Sequence, residues 1–322
     1  MATLSKDLDP ILLTTHVITN DELSKMGGLM AIVPEKPSFE DTRIIWATDS
    51  YAGHSHKFED FIPEGDKGVD LIVPRVEKNK SEQKKRTKDK AEVFTPIWVT
   101  ILQNNLVDDH VLGRAAFGKF DKDDRKLWIP SKEPIFTEEQ LEEAVAYICS
   151  PRLEITCGEA PYLIHRYDTT TGEHIPVRDE HNRFARSGLL DRKLRVVSEI
   201  VSAETWVELA REACNSIYGY EWQGDNLYIA RKNFVLSFIE YYEDFFKTEP
   251  TEELVKEFAE IASWQLWQMD GLKMVIPGTC GEDCVPCAKK SRKNHAGIMP
   301  ALRWGEEITT FDRFLPDDSK KK

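Results

Sequence analysis

The stretch "LEITCGEAPYL", residues 153–163, decides how this chain is read. Its first residues predict a short buried strand, and Cys157-Gly158 then opens a turn of small residues. In an open α/β sheet, such a turn lets backbone approach a nucleotide-like ligand, and the next strand ends in an acid that hydrogen-bonds ribose hydroxyls. That acid is Glu221 in "YGYEWQGDN", residues 218–226. The turn lacks G-x-G-x-x-G, so a pyrophosphate cradle is not expected, and a ligand without phosphates suits it better. NAD, FAD and S-adenosylmethionine all carry the ribose diol that Glu221 would meet. A plain strand-to-helix turn is the alternative reading.

The flanking pattern supports an α/β chain. Thr137 and Gln140 in "TEEQLEEAVAYICS" form a capping box that starts a helix before the 153–163 stretch. A loop-rich segment runs to about 188, and Trp206, Leu209, Ala213 and Ile217 then fall at helical spacing. "IYGYEWQ" reads as a strand, followed by a helix with Leu227, Phe234, Phe238, Tyr241 and Phe245 along one stripe and Asp225 as its cap. A further helix, "TEELVKEFAEIASWQLWQM", buries Leu254, Phe258, Ile261 and Leu266. In the first ninety residues, "IIWATDSYAGHSHKF" and "VDLIVPRV" read as short strands. Residues 78–90, "KNKSEQKKRTKDK", hold seven Lys/Arg against two acids and read as a solvated linker or a phosphate-contacting arm.

Bulk properties narrow the class. The chain has 322 residues, 41% hydrophobic and 31% charged, with only short apolar runs, which suits a soluble protein of roughly two domains. No run approaches a membrane span, and "MATLSKDLDP" has no secretory-signal pattern, so a cytoplasmic protein without a membrane partner is expected. Six cysteines suit a reducing compartment. The net charge of −13 confines any nucleic-acid contact to local basic patches. G-x-S-x-G, Walker A and H-E-x-x-H motifs are absent. Cys157 beside His165 reads as packing rather than a nucleophile, and "DKDD", residues 121–124, as a solvent-facing loop rather than a nuclease site.

Upstream, "AEVFTPIWVTILQNNLVDD" spans residues 91–109, and its Thr95-Pro96 predicts a helix start with Thr as cap and Pro at the first position. Phe94-Thr95-Pro96 resembles the F-T-P element of amino-adenine DNA methyltransferases. The order F-T-P, then Glu154-Ile155-Thr156-Cys157-Gly158-Glu159-Ala160, then Gly219-Tyr220-Glu221, matches that family's arrangement. With "GLLDRKLRVV" and "WQMDGL", the chain resembles the short restriction-system modification-subunit group over roughly residues 70 to 290. The resemblance implies a Rossmann-like methyltransferase core that binds S-adenosylmethionine through Phe94, Thr95, Pro96, Thr156, Cys157, Gly158, Ala160 and Glu221. DNA would be the partner, with a restriction or specificity subunit. It divides the chain into a mixed, β-rich region (1–77), the basic linker (78–90), a helical region with F-T-P (91–150), the core (151–275) and a tail (276–322). Ala160 stands where the family has a second glycine, so its backbone is expected to avoid positive φ.

Two further features qualify that reading. The family's [D/N/S]-P-P-[Y/F/W] loop, which holds the flipped base, occurs nowhere in the chain; "TPIW" and "ATDSY" do not supply it. In its expected place stands Cys280-x3-Cys284-x2-Cys287 with His295, which has the spacing of a closed structural zinc site beside Lys289, Lys290, Arg292 and Lys293. Two functions remain open on sequence: an adenine-N6 DNA methyltransferase, or a methylase-derived DNA- or partner-binding subunit without transfer activity.

Overall fold

The computed structural model describes residues 4–19, 38–90, 92, 95–280 and 297–311. Helix α1 (Asp9–Leu13) runs into strand β1 (Thr14–Ile18), which pairs antiparallel with β2 (Phe39–Arg43), Thr14 opposite Arg43. The two strands expected downstream do not form. Residues 44–47 are fully buried, yet they make a single bridge, Ile45 to Phe61. The Gln268 side-chain amide takes both the N–H and the C=O of Ile45, each at 2.9 Å, and so stands in for a neighbouring strand. "VDLIVPRV" instead coils into 3-10 turns, with Ile72 N–H donating to Val69 O at 3.1 Å.

The basic run is helix α2 (Lys80–Lys90), with Lys80, Lys84, Lys85 and Lys88 exposed and Arg86 buried. It is therefore docked on the body, through buried Arg86 and through Gln83 and Thr87, rather than solvated all round. Helix α3 (Ile97–Leu112) follows, with Pro96 rather than Thr95 at the cap position, so it starts one place later than the sequence pattern suggested. A hairpin of β3 (Gly118–Phe120) and β4 (Trp128–Pro130) leads to α4 (Leu141–Cys149). Here Gln140 accepts from Thr137 N–H at 3.1 Å and completes the capping box.

The centre is a three-stranded parallel sheet in sequential order: β5 (Arg152–Glu154), β6 (Ile217–Glu221) and β7 (Leu266–Gln268). The crossover from β5 to β6 carries α5 (Leu189–Ile200) and α6 (Trp206–Asn215); that from β6 to β7 carries α7 (Gly224–Phe246) and α8 (Glu252–Gln265). The sequence pattern ran the last helix through Met269, but it stops at Gln265 and a strand begins. All three β7 residues are buried, and a strand buried on both faces shows no alternation to separate it from helix. Asp225 is not the cap of α7 either; Gln223 holds that position.

Side-chain alternation splits the sheet's surroundings. Ile217 and Leu266 join the main core with α6, α7 and α8. Tyr218, Tyr220 and Trp267 point the other way, toward Leu302, Trp304 and Phe311 around the hairpin of β8 (Leu302–Trp304) and β9 (Glu307–Thr309). Tyr218 stacks on Trp304 at 5.2 Å, and Tyr220 meets Phe311 edge-on at 5.3 Å. The fold is thus mixed α/β, with helices on one face of the parallel sheet and, among the described residues, an aromatic hairpin cluster on the other.

Charged side chains lock these elements together. Arg231 of α7 is fully buried and donates to the carbonyls of Leu12, Thr14, Ser263 and Leu266, tying α1, α8 and β7 to one guanidinium. Lys193 of α5 is held by Ile148 O, Ser150 O and Ser216 Oγ, at the end of α4. Asp225, in the first turn of α7, accepts from Lys78 Nζ at 3.0 Å, Arg86 at 2.8 and 3.2 Å, and Tyr51 Oη at 3.0 Å. Burial alone would raise its pKa, but the two cations outweigh that and hold it near 2. Helix α7 can start so close because residue 224 is glycine: a Cβ there would lie 2.0 Å from Ile45 O. Removing one member of a buried ion pair strands its partners without compensation. Asp225→Ala is expected to lower unfolding free energy by about 3–5 kcal/mol, read as a shift in the urea midpoint; a loss below about 1 kcal/mol would refute a structural role for the network.

Candidate functional site

After β5 the chain does not continue as a strand because three residues take left-handed backbone: Thr156 (φ 49°), Gly158 (φ 55°) and Ala160 (φ 64°). One sheet-like bond survives, Cys157 N–H to Tyr220 O at 2.8 Å. The chain then curls back, so that Glu154, the last strand residue, accepts from the N–H groups of Tyr162 and Leu163, both at 3.3 Å. The expectation for Ala160 is overturned. Its C=O accepts from Leu163 and Ile164 N–H at 3.1 and 2.9 Å, and its methyl is fully buried in the core. These contacts over-determine a conformation that costs an L-residue roughly 1–2 kcal/mol.

Glu221 ends β6 and reaches across to this turn. One carboxylate oxygen accepts from Gly158 N–H at 2.8 Å, and the other from Gln223 N–H at 3.1 Å. Two elements 63 residues apart in sequence are therefore joined by a direct hydrogen bond. Burial pushes the Glu221 carboxyl up to about 7, against the pull of those two N–H donors. Burial likewise raises Glu154 well above the ordinary carboxylate range. The Cys157 thiol, also buried, is pushed far up, which makes it packing rather than a nucleophile.

A cleft of about 890 Å³ opens at the carboxyl ends of β5 and β6. Of the residues singled out by sequence, Thr95, Thr156, Cys157, Gly158 and Glu221 line it together. Ala160 supports the turn from beneath, Pro96 caps α3 beside it, and Phe94 lies outside the described residues. Sequence reasoning missed Glu92, Asn104, Gln223 and Asn226, which add polar groups to the wall, and His56, Tyr162 and Trp222, which add rings to it. Gln223 was within reach, two places beyond the strand-end acid; Glu92 and Asn104 carried no local signal. The described lining holds three carboxylates, Glu92, Glu154 and Glu221, and neither lysine nor arginine. Glu92 is paired with buried Arg86 at 2.6 Å, while Glu154 and Glu221 are met only by backbone N–H groups.

Cys280 is half-buried; Cys284, Cys287 and His295 lie outside the described residues. Among the described residues, no group of three or more His, Cys, Asp or Glu is arranged to hold a metal ion. A Ser-His-Asp alignment does occur: His16 contacts Asp41 at 2.7 Å and Ser263 at 3.0 Å. It borders neither the 890 Å³ cleft nor a second cleft of about 570 Å³ near the α7–α8 turn. Ser263 is buried and its hydroxyl donates to Glu260 O at 2.7 Å, while His16 stacks on Trp264 at 3.6 Å. It fastens β1 to α8. No helix among the described residues is long and apolar enough to cross a membrane.

No protein-family model, curated protein or solved structure matches the chain.

Because Glu221 titrates near 7 when folded, against an ordinary value of 4.5, the folded state binds the extra proton between those values. Its contribution to stability is full below 4.5 and is lost as pH rises through 7. Wild type should therefore lose about 3 kcal/mol relative to Glu221→Gln between those pH limits, measured by parallel urea titrations; a pH-independent difference would refute the assignment.

Proposed function

We propose that the cleft binds S-adenosylmethionine and that the protein is a methylase-like component of a DNA-modification system, built on a Rossmann-like core. The observation that carries this reading is the chemistry of the wall, which holds carboxyl groups, one of them poised near 7, and no lysine or arginine among its described residues. A cleft with two carboxylates free of cations, and no lysine or arginine among its described residues, disfavours nucleotide phosphates. It suits a ligand that is itself a cation, and S-adenosylmethionine carries a sulfonium and an ammonium. The residues fit the rest of the molecule as well. Glu221 uses one acceptor site on each oxygen for backbone N–H and keeps further lone pairs for a ribose diol. A ligand at the carboxyl ends of parallel strands follows the general rule for open α/β sheets. The volume lies within the usual range of roughly 300–1,000 Å³ for small-molecule sites.

In this reading Thr95, Thr156, Cys157 and Gly158 shape the wall, Glu221 holds the ribose, and bound S-adenosylmethionine supplies an electrophilic methyl group. The acceptor would be an adenine amino nitrogen in DNA. The exposed Lys80, Lys84, Lys85 and Lys88 of α2 offer the local basic surface that an acidic protein needs for phosphate contact. One observation favours a second reading, a subunit that binds the cofactor without transferring its methyl group: the chain contains no [D/N/S]-P-P-[Y/F/W] sequence. Such a subunit would dock a partner, and Leu102, Leu106, Val107 and Val111 on α3 form an exposed apolar row for it to cover. The zinc site proposed for Cys280, Cys284, Cys287 and His295 would be structural in either case; metal analysis of the purified protein finding no zinc would remove it.

Calorimetric titration with S-adenosylmethionine tests the shared core of both readings. Wild type is expected to bind, with affinity rising from pH 6 to pH 8 as the Glu221 carboxyl, poised near 7, ionises toward the cationic ligand. Glu221→Ala is expected to weaken binding about 10- to 100-fold through loss of charged hydrogen bonds. Absence of binding by wild type at any pH would overturn both readings. Transfer of labelled methyl to DNA separates the methyltransferase from the binding subunit.

A further inference from the structure

Two aromatic rings enter the cleft, each beside a carboxyl group. Tyr162 follows the β5 turn, and its backbone N–H donates to Glu154 at 3.3 Å. Trp222 directly follows Glu221 at the end of β6. Both side chains line the cleft and both are half-exposed, so a ligand can reach them. Neither is loosely held. The carbonyl of Tyr162 accepts from Asn104 Nδ2 and from Leu189 N–H, both at 2.9 Å. The carbonyl of Trp222 accepts from Gln268 Nε2 at 2.8 Å, and its indole N–H donates to Ala47 O at 3.1 Å. With that N–H committed to Ala47, the indole offers the cleft its π-system rather than a donor. No lysine or arginine of the described wall competes for either ring.

We propose that Tyr162 and Trp222 form an onium subsite, in which their rings receive the methylated sulfonium of S-adenosylmethionine and make the cleft prefer it over the uncharged thioether. The inference rests on the S-adenosylmethionine reading and adds the residues that meet the sulfonium, which that reading leaves unassigned. The face of an aromatic ring is the negative end of its quadrupole, and it suits a cation wrapped in carbon. The placement also fits the covalent order of the ligand. In the parent reading Glu221 holds the ribose and the β5 turn shapes the wall beside it, the two being joined by Gly158 N–H at 2.8 Å. The sulfonium links the ribose to the amino-acid part, and these same two elements carry Trp222 and Tyr162. A neutral purine stacked on the rings would gain nothing from the neighbouring carboxyl groups, whereas an onium gains from both.

The test compares S-adenosylmethionine with S-adenosylhomocysteine by calorimetry on the full chain at pH 6. The two compounds differ only in the methyl group and the positive charge on sulfur. At that pH burial keeps the Glu221 and Glu154 carboxyls largely protonated, so the preference reports the rings. Glu92 and His56, which also line the cleft, are held by Arg86 and Asp49 and are common to every variant. Wild type is expected to bind S-adenosylmethionine at least about fivefold more tightly. Trp222→Leu and Tyr162→Leu should each lower that ratio, and the double variant should bring it close to one. Trp222→Phe and Tyr162→Phe, which restore a ring, should keep most of it. Equal binding of the two compounds by wild type overturns the proposal, and this needs no variant to fold. A ratio preserved in folded Trp222→Leu and Tyr162→Leu, with both compounds weakened together, also overturns it and makes the rings a purine platform. In both outcomes S-adenosylmethionine binding itself persists. Absence of S-adenosylmethionine binding by wild type at pH 6 and at pH 8 overturns the parent reading and this one with it.

Discussion

Asp225 is the constraint on which the remaining architecture depends. It has no exposed surface, yet it is ionised, because Lys78, Arg86 and the Tyr51 hydroxyl surround it. Those partners come from two separate stretches of the first ninety residues, around Tyr51 and in the run 78–90, and Asp225 itself sits in the helix that follows the central strand. A buried carboxylate requires all its donors at once, so this single group fixes where the N-terminal region, α2 and α7 meet. The same guanidinium that grips Asp225 also grips Glu92 at 2.6 Å and thereby places a cleft residue. Fold and site are assembled by one electrostatic junction rather than by separate ones.

That junction also explains the character of the cleft. Its cations stand behind the wall, used up on Asp225 and Glu92, while the front shows carboxylates, amides and backbone N–H groups. Glu154 and Glu221 are met by backbone donors alone, which favour the charged form, while burial outweighs them and moves both upward in pKa. A group poised in this way responds to an approaching cation by releasing its proton. For the cationic ligand proposed, charge on the ligand and on the wall would then be coupled, unlike in phosphate-binding turns where helix termini and lysines carry the recognition.

Much of this was legible where chemistry is local. The capping box at Thr137, the turn at Gly158 and the acid at Glu221 each depend on a few neighbouring residues, and each stands where sequence pattern set it. What escaped depends on distant partners. Strand β7 was read as helix because "LWQ" is buried on both faces and carries no period-two signal. Ile45 was read as strand, whereas a glutamine side chain 223 residues away supplies its ladder bonds. In "DRKLR" of α5, Asp191, Arg192, Lys193 and Arg195 are all buried, and no property of the residues themselves announces it. Ala160 shows the limit from the other side: sequence reasoning priced its backbone by residue type alone, whereas two hydrogen bonds and a buried methyl impose positive φ.

The sheet's asymmetry bears on what the cleft does. One face carries α6, α7 and α8, while the other is covered, among the described residues, by Leu302, Trp304 and Phe311 rather than by helices. The cleft lies where β5 and β6 end, and a ligand there meets the β5 turn, the β6 terminus and the segment of residues 92 to 107, with His56, Leu189 and Asn226 at its edges. Tyr162, after Pro161, and Trp222 bring aromatic rings to the cleft, but no [D/N/S]-P-P-[Y/F/W] sequence frames them. In the proposed reading the cleft would hold the cofactor, and nucleic acid would be met by surface outside it, such as the exposed lysines of α2.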